Sequence, residues 1–145
     1  YTSIMPNLLI DGMADALCRS KAVKIYICNV MTQPGETDGY TASMHVKAIL
    51  DHAGRDAIDF VLVNSAPISP EMQEFYAAKG AYPVEVDEDA LNALGVGFVK
   101  ADIISETDVI HHDPDKLSRA VMRMIYGLKS NTGLREYYIQ EDSLR

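Results

Sequence analysis

Two short, nearly continuous apolar runs stand out against segments of helical periodicity. They read K-I-Y-I-C-N-V-M at 24–31 and D-F-V-L-V-N at 59–64. Unbroken hydrophobicity over so few residues marks strands covered on both faces of a parallel sheet. Weaker strand signals lie at 82–86 and 97–104. Between these runs the period changes. Val46, Ile49, Leu50 and Ala53 share one face of a helix over 41–53, which Gly54 stops. Ser69–Pro70 is a cap followed by proline at the first helical position. Met72, Phe75 and Tyr76 then form a stripe, and Gly80 ends that helix. Asp113–Pro114 repeats the signature ahead of Leu117, Ala120, Val121, Met124, Ile125 and Leu128, the clearest amphipathic pattern in the chain. Residues 87–94 predict a short helix opened by Asp87 and closed by Gly95. Residues 7–20 predict a helix broken near Gly12.

The resulting order, α-β-α-β-α-β-α-β-α, predicts an α/β domain with a mainly parallel sheet. Periodicity fades from Ser130 onward. Residues 130–145 read as a tail, in which Tyr137, Tyr138 and Ile139 could dock on the body or on another subunit.

Composition narrows the function classes. The 145 residues fit one domain, and 48% hydrophobic with 23% charged residues argues against wholesale disorder. A formal net charge of -8 repels phosphate backbones, so nucleic acid is not an expected partner. No apolar run approaches the ~20 residues needed to span a bilayer. Cys18 and Cys28 have no CxxC or metal-ligand spacing. Two buried or half-buried thiols in a reducing compartment fit them best, with a disulfide or a catalytic thiol as the alternatives.

Ligands of open parallel sheets bind beyond the carboxyl ends of the strands, so the chemistry is sought there. After the first strand comes N-V-M-T-Q-P-G-E-T-D-G-Y (29–40), a small polar loop with two glycines that leads into a helix near Thr41. Amides at a helix start favour an anion. Thr32, Gln33 and Thr37 can add hydrogen bonds to phosphate or sugar oxygens. Glu36 and Asp38 suit sugar hydroxyls or a Mg²⁺ ion bridging phosphates. A plain strand-to-helix turn capped by Asp38 or Thr41 also fits. Asn64 can read a base or sugar edge, or simply begin a turn with Ser65. Tyr76 fits the core as well as a site. His111 and His112, adjacent on an extended segment, point to opposite faces and share no metal; one can face a phosphate while Asp113 caps the last helix. His45 and His52 read as solvated histidines. No GxGxxG, no GxxxxGK[ST] and no glycine-flanked nucleophile occurs, so no catalytic residue is assigned.

The stretch C-N-V-M-T-Q-P-G-E-T-D-G-Y-T-A-S (28–43) closely resembles the hallmark of the bacterial YvcK-like proteins, often called gluconeogenesis factors. These belong to a wider family with CofD, the 2-phospho-L-lactate transferase. Val63-Asn64-Ser65, Gly80-Ala81-Tyr82-Pro83-Val84 and Val109-Ile110-His111-His112-Asp113 resemble further segments of that family. The resemblance covers about residues 1–128. It implies a Rossmann-like, three-layer α/β/α fold with a nucleotide site at the carboxyl edge of the sheet. For the YvcK-like branch it implies a cytoplasmic regulator that binds UDP-sugars such as UDP-N-acetylglucosamine. That regulator would influence carbon flow to the cell wall and cell shape, with regulatory protein partners and a homo-oligomer both compatible. For the CofD branch it implies transfer of a phospholactyl group from a guanylated donor to a deazaflavin precursor. An NAD-dependent enzyme is a third, weaker alternative without GxGxxG. Carried over residue by residue, the resemblance implies ligand-binding roles for Asn29, Thr32, Gln33, Gly35, Glu36, Thr37, Asp38 and Tyr40, and for Asn64, Tyr76 and His111. His111 stands where the family pattern has arginine, and an imidazole lacks the bidentate fork. Relatives carry a strand and a glycine-rich loop before the equivalent of Tyr1. Residues 1–129 are therefore expected to be the C-terminal part of a larger CofD-like domain, binding nucleotide weakly or not at all in isolation.

Overall fold

The computed structural model describes residues 1 and 3–129; the predicted tail at 130–145 lies outside them. The elements are α1 (Met5–Leu8), α2 (Met13–Arg19), β1 (Ile25–Ile27), α3 (Ala42–Ala53), β2 (Phe60–Asn64), α4 (Pro70–Ala77), α5 (Glu88–Ala93), β3 (Gly97–Ala101), β4 (Ile104–Glu106), β5 (Ile110–His112) and α6 (Pro114–Lys129). Strands β1, β2 and β3 form a parallel sheet in that order, and β4 pairs antiparallel with β5.

The apolar runs are continuous because both faces of the sheet are covered. Along β2, Val61 and Val63 join Tyr26, Cys28, Val46 and Ile49 in the core beneath α3 and α5, with Leu91 from α5. Leu62 points the other way, to Val99 and to Ala120 and Met124 of α6. Helices therefore flank the sheet on both sides, as the three-layer expectation requires. Each fully buried Val or Leu contributes roughly 1.5–3 kcal/mol to this arrangement. Gly97 on β3 pairs with Phe60, and a Cβ there would meet the Phe60 ring at 2.6 Å. The strands need a glycine at this crossing.

Several expectations are corrected. The strand expected at 82–86 does not join the sheet; it makes only an antiparallel bridge, Met31 to Pro83. Pro83 has no N–H to donate, so a central ladder cannot run through it. The strand expected at 97–104 ends at Ala101, and its last residue begins the β4–β5 hairpin, a pairing that period alone does not announce. The Met72–Phe75–Tyr76 stripe is not core: no residue of α4 is buried. Asp87 does not cap its own helix; its side chain turns back to α3. The break near Gly12 is present, with Gly12 at φ +79 between α1 and α2.

Candidate functional site

The carboxyl ends of β1 and β2 open onto a cavity of about 160 Å³. Cys28, Asn29 and Val30 form one side, Val63 and Asn64 another, and Pro83, Val84 and Val86 close it from the 82–86 segment. That segment is held by the loop after β1. Thr32 N donates to the Tyr82 carbonyl at 2.7 Å, Tyr82 N donates to Thr32 Oγ1 at 2.9 Å, and Val84 N donates to the Val30 carbonyl at 2.9 Å. The demoted strand is thus the far wall of the cavity.

The loop from Asn29 to Tyr40 is built largely from its own side chains. Thr37 is fully buried, and its Oγ1 accepts from Gln33 N at 2.8 Å. Asp38 Oδ2 accepts from Gly35 N at 2.8 Å, where Gly35 sits at φ +80, a conformation that glycine adopts without strain. Asn29 Nδ2 donates to Gln33 Oε1 at 3.2 Å. Glu36 is exposed. Tyr40 is half-buried and packs edge-on against His45 and Tyr1, at centroid separations of 5.3 and 6.3 Å. Thr32, Thr37 and Asp38 therefore shape the loop, and Asn29 and Gln33 brace each other.

The start of α3 is not a vacant anion cradle. Ala42 N donates to the Glu85 carbonyl at 2.8 Å, Ser43 N to Asp87 Oδ1 at 2.9 Å, and Met44 N to Thr41 Oγ1 at 3.4 Å. Asp87 also accepts from the Ser43 hydroxyl and, at 2.8 Å, from the Thr41 hydroxyl. Burial alone would raise the Asp87 carboxyl, but the Ser43 and Thr41 donors outweigh it and hold the group below the usual carboxylate range. A chain carboxylate has taken the position that the loop pattern suggested for a phosphate.

The remaining expected residues divide. Asn64 is in the cavity wall, but both ends of its amide are engaged: Nδ2 with the Ala66 carbonyl at 2.8 Å, and Oδ1 with the amides of Ala66 at 3.2 Å and Ile103 at 3.4 Å. The turn reading fits it. Tyr76 is half-buried, and its hydroxyl accepts from Ile110 N at 3.0 Å. Glu106 Oε1 accepts from Ser69 N at 2.9 Å, so α4 and the β4–β5 hairpin are joined at both ends. Tyr76 and His111 are thus brought to one hairpin. The His111 ring, however, is exposed and lies 3.1 Å from Ser105 Oγ. The partner that turns inward is His112, half-buried, its imidazole lowered by burial with the Cys28 backbone as the opposing influence. Opposite faces for the two histidines are as the extended spacing predicts. His45 corrects another expectation: it is fully buried, Nδ1 lies 2.8 Å from the Thr41 carbonyl, and burial lowers its pKa. Its neighbours Tyr1 and Tyr40 supply the cover, which helical position alone does not reveal.

Ile68 and Gln73 also line the cavity, and no motif or periodicity in the sequence marks either for a site. The sequence places Asp87 at the start of α5, and nothing in it signals the contact with Ser43 of α3. Among the described residues, no group of three or more His, Cys, Asp or Glu is placed to hold a metal ion. Cys18 and Cys28 are both free; burial pushes the Cys28 thiol up to about 12. Among the described residues, no helix is long and apolar enough to cross a membrane.

Comparison with known proteins places this geometry. The profile of the family described as 2-phospho-L-lactate transferase CofD matches residues 1–104. The gluconeogenesis factor of Halalkalibacterium halodurans is 50% identical over 123 residues, covering 84% of this chain and 38% of that protein. The gluconeogenesis factor of Bacillus subtilis is 43% identical over 126 residues, covering 86% of this chain and 40% of that protein. A crystal structure of a Bacillus halodurans protein superposes with a TM-score of 0.81 at 50% identity, covering 84% of this chain and 40% of that one. The chain spans about two fifths of the length of these relatives. With the cavity and the loop lying within residues 1–104, the chain belongs to the CofD family, on the side of that family whose members are named gluconeogenesis factors.

Proposed function

We propose that this chain forms part of a nucleotide-sugar-binding regulatory protein that influences carbon flow toward the cell wall, and through it cell shape. The observation that supports this reading is convergence. The loop after β1, the turn at Asn64 and the 82–86 segment all meet at one end of the sheet. Carboxyl-edge clefts of this kind are where α/β sheets take nucleotides. Catalysis is not needed to explain the site. The Cys28 thiol is protonated at neutral pH, and no nucleophile–base pair lines the cavity. A Mg²⁺ ion carried on the ligand's phosphates needs only one or two carboxylates, and exposed Glu36 is the loop's free one to offer. Asp38 is already committed to Gly35.

The test is calorimetry on the full-length protein with UDP-N-acetylglucosamine, GDP and NAD in parallel, with Mg²⁺ present. Saturable UDP-sugar binding without turnover is expected. GDP binding alone would refute the reading. It would favour the second one, a phospholactate-type transferase, which the description of the matching family supports.

A further inference from the structure

The cavity at the ends of β1 and β2 has a chemical character that the loop beside it does not. None of its lining side chains carries a charge at neutral pH. Aliphatic side chains, Val30, Val63, Ile68, Pro83, Val84 and Val86, stand beside uncharged polar groups in its walls. The Asn64 amide within it is bonded at both its oxygen and its nitrogen by the chain's own backbone. The Cys28 thiol stays neutral, because burial pushes it up to about 12. An isolated phosphate buried here would meet no cation and no free helix-start amide, a costly arrangement. The Asp87 carboxylate at the start of α3 acts on Cys28 with the wrong sign for a phosphate. Size points the same way. The cavity measures about 160 Å³ and is open to solvent on one side, room for one planar ring rather than for a whole nucleotide. Ligand pockets are in general mostly apolar, with a few polar groups that fix orientation. Asn29, Asn64 and Gln73 are the polar side chains here; Asn29 Nδ2 donates to Gln33 Oε1 and Gln73 Nε2 to the Ile68 carbonyl, so the amide oxygens of Asn29 and Gln73 are the ones left to face a ligand.

We propose that this cavity receives the flat, uncharged base of the nucleotide ligand, leaving the phosphates outside it. The inference rests on the nucleotide-binding reading and assigns the orientation of the ligand within that site. It predicts that the base, rather than the pyrophosphate or the sugar, competes for this end of the sheet.

The test uses the full-length protein and three probes in competition with UDP-N-acetylglucosamine: uridine, inorganic pyrophosphate and free N-acetylglucosamine. Val84→Phe fills the cavity from its half-buried wall, and Val84→Ala enlarges it as a control for folding. Uridine is expected to compete. Val84→Phe is expected to weaken uridine and the UDP-sugar together by about tenfold or more, comparable to losing one base's ring contacts. Pyrophosphate affinity should not move. Three outcomes overturn the inference: uridine fails to compete, N-acetylglucosamine competes in its place, or a folded Val84→Phe protein binds uridine unchanged. If the UDP-sugar does not bind, the regulator reading falls, and guanosine and adenosine are titrated instead. Nucleoside binding that Val84→Phe weakens then upholds the cavity assignment; nucleoside binding that is absent or insensitive ends it.

Discussion

Removing the Asp87 carboxylate should detach the start of α3 from the segment that leads into α5. Asp87 accepts three hydrogen bonds, from Ser43 N at 2.9 Å, from the Thr41 hydroxyl at 2.8 Å and from the Ser43 hydroxyl. Losing a helix-start acceptor costs about 0.5–2 kcal/mol. Leaving part-buried donors without a partner adds about 1–3 kcal/mol. Some of that is recovered, because the two hydroxyls can turn to each other; their oxygens are already 3.2 Å apart. Asp87→Ala should therefore lose roughly 2–3 kcal/mol in urea unfolding, and Asp87→Asn, which keeps one acceptor oxygen, about half of that. The charge leaves a second signature. The folded carboxyl lies below its unfolded value, so its contribution is present in full above the ordinary carboxylate range. It is lost as the pH falls from near 4 through the folded value. The stability gap between wild type and Asp87→Asn should hold from pH 7 to pH 5 and close below pH 4. A gap under about 0.5 kcal/mol at pH 7, or one that persists unchanged at pH 3, would show that the three contacts do not anchor the helix.

Other residues give independent tests. Gly97→Ala drives a methyl into the Phe60 ring and should cost about 1–3 kcal/mol. Phe60→Leu on the same background should restore part of it, and a strictly additive double mutant would contradict the clash. Tyr76→Phe removes the acceptor of the Ile110 amide, so hydrogen exchange should rise at Ile110 with little change in β2. His45 titrates below the ordinary histidine value because it is buried, so its neutral form stabilises the fold above about pH 6.5 and that contribution fades on acidification. His45→Phe should flatten the stability profile between pH 7 and pH 5, measured by thermal melts; an unchanged slope would count against it. Cys28, buried with its thiol held protonated, should react with iodoacetamide at pH 8 far more slowly than half-buried Cys18, read by peptide mass spectrometry.

What the sequence made legible follows from where its signals are local. The apolar runs at β1 and β2 and the caps at Thr41, Ser69 and Asp113 are written in adjacent residues. All three caps accept the expected amides, from Met44, Met72 and Lys116. The misses are tertiary. Nothing near Asp87 says that its carboxylate crosses to Ser43, 44 positions away. His45 is polar by type and becomes core only through Tyr1 and Tyr40. The resemblance pointed to the carboxyl edge, where a cavity lies, and several polar loop residues are the loop's own scaffolding. The aliphatic cavity wall carried no chemical signature to find.

The pairing register has a consequence for how this segment comes into being. Ile25 lies beside Phe60 and Phe60 beside Gly97, so each strand contact of the main sheet closes a loop of about 35 residues. Parallel neighbours always demand such long closures, and chains dominated by them fold slowly. On a ribosome adding about 5–20 residues per second, β1 waits seconds for its partner, and β2 waits again for β3. Meanwhile the most hydrophobic stretches of the chain are uncovered and unpaired. Synthesis order, as much as final stability, therefore decides how much of this segment reaches its native sheet.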